Sequence, residues 1–128
     1  MEDLHSGDLR ISVSVPEHAG SVRLIWRGKS TERYPAQTLA PFFAKVLQQA
    51  TKDGLAIEMH FQDLEHFNSS TISAVIQLIQ DARQRKVKMS VIYDPKLRWQ
   101  KLSFDALRVF SGSDGLLVIL PRTKEPAA

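Results

Sequence analysis

Two stretches near the start of the chain alternate between apolar and polar residues. Leu9-Arg10-Ile11-Ser12-Val13-Ser14-Val15 keeps a period of two throughout, and Val22-Arg23-Leu24-Ile25-Trp26-Arg27 nearly does. Pro16-Glu17-His18-Ala19-Gly20 separates them, which predicts a β-hairpin. From Thr38 the period lengthens. Leu39, Phe43, Val46, Leu47 and Ala50 share a helical face, Thr38 is placed to cap the first turn, and Pro41 falls where a missing N–H is harmless. Asp53-Gly54 stops this helix. Leu55, Ile57, Met59 and Phe61 then line one side of a strand. Asn68 or Ser69 offers the cap of a second helix, which runs to about Arg85 with Ile72, Val75, Ile76, Ile79 and Ala82 on one side. Val87 to Tyr93 is a further strand. Asp94-Pro95 predicts a cap and first turn for a third helix, with Trp99, Leu102, Ala106, Leu107 and Phe110 toward the core. Gly112 to Gly115 ends it, and Leu116 to Leu120 forms the closing strand.

The order β-β-α-β-α-β-α-β predicts an α/β domain: a mixed sheet of about five strands with about three helices, mostly on one face. Its expected core includes Ile57, Met59, Ile76, Ile79, Val91, Leu107 and Val118. The 128 residues, 43% hydrophobic and 24% charged, suit one domain over 1–120 with a frayed polar tail over 121–128. At this size folding hides roughly two-thirds of the chain's surface, so no disulfide or metal staple is needed.

The absence of cysteine excludes thiolate metal sites, cysteine nucleophiles and disulfides, and suits a reducing cytoplasm. The N-terminus has neither the basic nor the apolar segment of a signal peptide, and the longest apolar run, Leu116 to Leu120, is far too short to span a bilayer. Of the four histidines, His60 and His66 stand six apart across a strand-to-loop junction, which is no ligand spacing, so no metal is expected. No glycine-rich phosphate cradle and no exposed-serine elbow is present, and carboxylates such as Glu32 and Glu58 read as ordinary surface charge. Neither a catalytic residue nor a cofactor is expected.

Two features remain. Asp63-Leu64-Glu65-His66-Phe67-Asn68-Ser69-Ser70-Thr71-Ile72 sets three consecutive hydroxyls where a loop enters a helix, more than capping requires. The unpaired N–H groups of such a helix start would stabilise an added phosphate. The site is therefore chemically suited to modification. The second feature is a basic belt of Arg83, Arg85, Lys86, Lys88, Lys96, Arg98 and Lys101. It is the basis of an alternative function, the binding of nucleic acid or another anionic ligand. Only one aromatic, Trp99, interrupts it, where nucleic-acid surfaces interleave several.

The element order and the Asn68-Ser69-Ser70 junction together resemble the STAS domain of anti-sigma-factor antagonists. There a hairpin precedes alternating helices and strands, and a serine or threonine at the start of the second helix is phosphorylated. The usual Asp-Ser-Ser-Gly-Leu stands here as Asn68-Ser69-Ser70-Thr71-Ile72. Over about Gly20 to Ile119 the chain is more similar to a STAS-like branch, the SiaC-type bacterial regulatory phosphoproteins, which act in biofilm control and bind a diguanylate cyclase. The matching segments are Tyr34-Pro35-Ala36-Gln37 and Leu64-Glu65-His66-Phe67-Asn68-Ser69-Ser70. The resemblance implies a non-catalytic partner-switch protein whose docking on an anti-sigma, kinase-type or cyclase partner is controlled by phosphorylation of Ser69, with Phe67 anchoring the loop and Asn68, Ser69, Ser70, Thr71 and Ser73 forming the partner-binding surface. It also implies a serine kinase and a phosphatase upstream.

Overall fold

β1 (Leu4–Ser6), β2 (Leu9–Ser14) and β3 (Ser21–Ser30) form an antiparallel run in which Ile11 faces Trp26 and Val13 faces Leu24. The computed structural model describes residues 1–124. The chain continues through α1 (Ala36–Asp53), β4 (Ala56–His60), β5 (Leu64–Phe67), α2 (Ser69–Gln84), β6 (Met89–Tyr93), α3 (Arg98–Ala106), a single 3₁₀ turn over Leu107–Phe110, and β7 (Leu117–Pro121). The sheet order is β1-β2-β3-β4-β6-β7, with β4, β6 and β7 parallel to β3. β5 extends the line of β4 and pairs with the far end of β3, Ser30 opposite Phe67. The described residues thus hold seven strands and three helices, where the hydropathy pattern predicts about five strands. The two unforeseen strands are the short β1 and β5, whose Glu65 and His66 both face solvent and so hide the alternation.

Gly28 makes the turn of β3 past β2 possible. Its φ is +84°, and a Cβ there would lie 1.9 Å from the Asp8 carbonyl oxygen. The pairing of β3 with β5 also slips at this point, between Gly28 and Lys29.

One face of the sheet carries Ile11, Leu24, Trp26, Ile57, Met59, Met89, Val91, Leu117 and Ile119 into a single core, completed by α1, α2 and α3. The expected core residues Ile57, Met59, Ile79, Val91 and Leu107 are buried. Ile76 is only partly buried, because α2 turns Ala74 and Leu78 inward alongside Val75 and Ile79. Val118 projects to the opposite face of the sheet, where Arg23, Ile25, Glu58, His60, Ser90 and Leu120 are also half-buried.

Helix boundaries depart from expectation in two places. α1 starts at Ala36 with Pro35 as its cap, so Thr38 is not the cap and Pro41 lies within the helix. Asp94-Pro95-Lys96 folds into a tight turn, in which the Asp94 carboxylate accepts from the Lys96 N–H at 2.9 Å, and α3 begins only at Arg98. The buried side chains of α3 are Gln100 and Phe104, while Leu102 and Ala106 of the expected core face lie outward. The tail expected from Pro121 begins later. Pro121 ends β7, the Arg122 N–H donates to the Tyr93 carbonyl at 2.8 Å, and Lys124 pairs with Asp63. The remainder of that tail, residues 125–128, lies outside the described residues.

Candidate functional site at the start of the second helix

Asn68 is the N-cap of α2, with the extended backbone that position needs. Its Oδ1 accepts from the Thr71 N–H at 2.9 Å and from the Thr71 hydroxyl at 2.8 Å. Its Nδ2 donates to the Glu32 carbonyl at 2.8 Å, and its own N–H donates to the Ser30 carbonyl at 3.0 Å. Asn68 therefore ties the start of α2 to the end of β3 through its main chain and to the approach to α1 through its side chain. Thr71 is wholly buried and shares a 2.7 Å hydrogen bond with the Ser30 hydroxyl. With capping assigned to Asn68 and the inward hydroxyl to Thr71, Ser69 and Ser70 are left exposed in the first turn. Among the described residues their N–H groups have no protein acceptor, as helix geometry dictates for the first residues of a helix.

Beneath this turn lies an aromatic floor. Phe67 meets Trp99 edge to face at 5.2 Å and packs on Phe104 at 5.5 Å and Phe61 at 6.2 Å, and Phe61 continues to Trp26 at 4.8 Å. Gln100, also fully buried, holds the three strand ends together. Its Nε2 donates to the carbonyls of Phe61 at 2.7 Å and Leu64 at 3.1 Å, and its Oε1 accepts from the Asp94 N–H at 2.8 Å. The position of Ser69 is thus fixed from below by packing and from the side by the cap.

The structure places Asn68, Ser69, Ser70 and Ser73 together on the accessible side of this turn. Ser73 donates its hydroxyl to the Ser69 carbonyl at 3.1 Å. Thr71 and Phe67 do not belong to a contact surface, because both are buried in the supporting layer.

The basic belt does not form one patch. Arg83 is committed to Asp114 at 2.8 Å and to the Phe110 carbonyl at 2.6 Å, which latches α2 to the loop before β7. Arg85, Lys86 and Lys88 lie where the chain leaves α2 and enters β6, whereas Lys96, Arg98 and Lys101 lie beyond its other end, on the Ser69 side. A five-residue strand separates the groups by roughly 16 Å. Lys101 bonds Asp105 at 2.6 Å, and Asp105 also accepts from Tyr93 at 2.8 Å and from Arg108 at 3.4 Å. These bonds, Lys101 first and Tyr93 next, hold the Asp105 carboxyl down at about 2.

Glu58 is not ordinary surface charge. On the open sheet face it accepts from Ser21 at 2.7 Å, contacts His60 at 3.0 Å and pairs with Arg23 at 3.4 Å. Burial raises its pKa, but the hydrogen bonds from Ser21 and His60 and the Arg23 charge together bring it below the usual carboxylate value. Strand alternation places Glu58 and His60 on one face, and Arg23 comes opposite only through the β3–β4 register, which a single segment does not reveal. His66 lies elsewhere, 6.0 Å from the Trp99 ring, and no group of three metal-ligating side chains occurs among the described residues. No helix among them is long and apolar enough to cross a membrane.

No family model and no curated protein matches the sequence. Solved structures do match. A chain from the complex of the diguanylate cyclase SiaD with its activator SiaC, from Pseudomonas aeruginosa, superposes with a TM-score of 0.61 at 16% identity, covering 94% of this chain and 98% of that one. The phosphorylated form of the Bacillus cell fate determinant SpoIIAA gives 0.53 at 15% identity, covering 88% and 92%. A protein of SpoIIAA-like fold from Shewanella loihica PV-4 gives 0.53 at 11% identity, covering 93% and 92%. The β-hairpin that feeds alternating helices and parallel strands in this chain is thus a SpoIIAA-like fold.

Proposed function

We propose that this chain is a non-catalytic bacterial regulatory protein that docks on a signalling partner, an anti-sigma or kinase-type protein or a diguanylate cyclase, and that phosphorylation of Ser69 controls the docking. The observation that carries this reading is the division of labour at the helix start. Asn68 does the capping and Thr71 faces inward, so Ser69 is exposed and has no structural task for its hydroxyl. A serine kinase can reach it, and a phosphatase can reset it. The added group brings roughly −1.5 to −2 charges to the mouth of α2, where the free N–H groups favour it. The fold therefore tolerates the modification while a partner seated on the turn meets a bulky dianion.

The likeness to an activator crystallised with its cyclase and to a phosphorylated cell fate determinant supports the same reading. Capture from the native cell with wild-type protein identifies the partner, and calorimetry with wild type, Ser69→Ala and Ser69→Asp measures the switch. Ser69→Asp should melt near wild type, since aspartate suits a helix start, yet lose about tenfold or more in affinity, while Ser69→Ala binds constitutively. Equal affinity of all three forms would overturn the proposal.

A further inference from the structure

α3 has two apolar faces. Phe104 and Leu107 enter the core, while Leu97, Leu102 and Val109 point outward, with Leu102 66% and Val109 77% exposed. Ala106 is also exposed, and Trp99 is half-covered at the edge of the same stripe. Leu97 is the extended residue that precedes α3, Val109 lies in the 3₁₀ turn that follows it, and these exposed apolar side chains have no use in the fold of this chain. The charge around them is equally uneven. Residues 96–110 carry Lys96, Arg98, Lys101 and Arg108 against Asp105 alone, an excess of three that equals the formal net charge of +3 of the whole chain. Lys96 and Arg98 enter no ion pair among the described residues. The stripe also lies near the Ser69 turn, because Trp99 packs edge to face on the buried Phe67, two residues before Ser69.

We propose that the outward face of α3, Leu97, Trp99, Leu102 and Val109 beside Lys96 and Arg98, is a docking surface for an amphipathic helix of a partner protein whose flanks are acidic. This deepens the partner-switch reading and rests on it for the existence of a protein partner. Apolar anchors supply the contact area, and the uncompensated cations select against basic partners and favour acidic ones. A protein occupant suits this face better than an anionic lipid surface does, because Lys101 and Arg108 are both committed to Asp105 and only Lys96 and Arg98 are left to meet anionic headgroups. A partner that covers α3 and reaches the α2 turn would meet both the anchors and the phosphate on Ser69.

The test uses isotope-labelled full-length protein and two synthetic helical peptides with the same leucine stripe, one flanked by glutamates and one by lysines. The glutamate peptide should shift the amide resonances of residues 97–109, and the lysine peptide should bind at least about tenfold more weakly. Leu102→Glu and Arg98→Glu, both at exposed positions, should each weaken the glutamate peptide about tenfold while leaving the circular-dichroism melt unchanged. Equal binding of the two peptides, or shifts that map away from α3, overturns the proposal. So does sedimentation of the protein with phosphatidylglycerol vesicles that Leu102→Glu abolishes, or a Leu102-dependent dimer in ultracentrifugation, since these assign the face to a membrane or to a second copy. The peptide titration does not involve Ser69. Failure of the Ser69 switch against its natural partner therefore leaves the α3 result standing, and failure of the peptides leaves the switch standing.

Discussion

Replacing Gln100 with leucine removes three buried hydrogen bonds at nearly constant volume, and their unequal loss sets the size of the effect. The Asp94 N–H has no other acceptor among the described residues, so it becomes an unpaired buried donor, at a cost of about 1–3 kcal/mol. The Phe61 carbonyl keeps a second donor, the Leu64 N–H at 3.0 Å, and its loss with that of the Leu64 carbonyl bond costs about 0.5–1.5 kcal/mol each. The apolar side chain now buried returns roughly 1–2 kcal/mol. The net expectation for Gln100→Leu is a destabilisation of about 1–4 kcal/mol, a large share of the 5–15 kcal/mol typical of a domain. In urea this lowers the unfolding midpoint by roughly 1–2 M with an unchanged slope. Gln100→Glu separates hydrogen bonding from packing. It keeps an acceptor for Asp94 but turns a carboxylate toward two carbonyl oxygens, so its folded-state pKa is raised. Its stability should approach wild type below the unfolded value of about 4.3 and fall as pH rises from there. A Gln100→Leu change smaller than about 0.5 kcal/mol, or a Gln100→Glu stability that does not fall with rising pH, would refute the pinning role of this residue.

Two further predictions concern stability. Asn68→Ala should cost about 0.5–2 kcal/mol by chemical denaturation, whereas Ser69→Ala stays within about 0.5 kcal/mol of wild type, because the cap hydrogen bonds belong to Asn68. Glu58, whose folded-state pKa lies below its ordinary 4.5, contributes stability that is present above that value and is lost as pH falls through the folded one. Glu58→Gln should therefore flatten the acid limb of a stability-against-pH curve below about pH 4.5, measured by urea melts, and leave the neutral-to-alkaline limb unchanged.

The element order was legible because each main strand or helix buries one regular face: Leu9 and Ile11 at a period of two, or Leu39, Phe43, Val46, Leu47 and Ala50 at a helical one. α3 shows where that signal fails. Its spacing offers Trp99, Leu102, Ala106, Leu107 and Phe110 as one face and Gln100 and Phe104, again with Leu107, as another, and hydropathy favours the first since it contains no amide. The fold chooses the second because the Gln100 amide meets two carbonyls and an N–H left unpaired at the strand ends. Burying a polar side chain is favourable only where such groups wait, and they are contributed by β4, β5 and β6, segments that come together only in three dimensions. The same holds at the candidate site. Three adjacent hydroxyls and an asparagine are visible in the sequence, but their separate tasks depend on the Ser30 hydroxyl and carbonyl, about forty residues earlier in the chain, which draw Thr71 inward and hold Asn68 in place. Locally Asn68 and Ser69 serve equally well as the cap, since each has an N–H three residues on to satisfy, and it is the bonds from Asn68 to the distant Ser30 and Glu32 carbonyls that decide for Asn68 and leave Ser69 free.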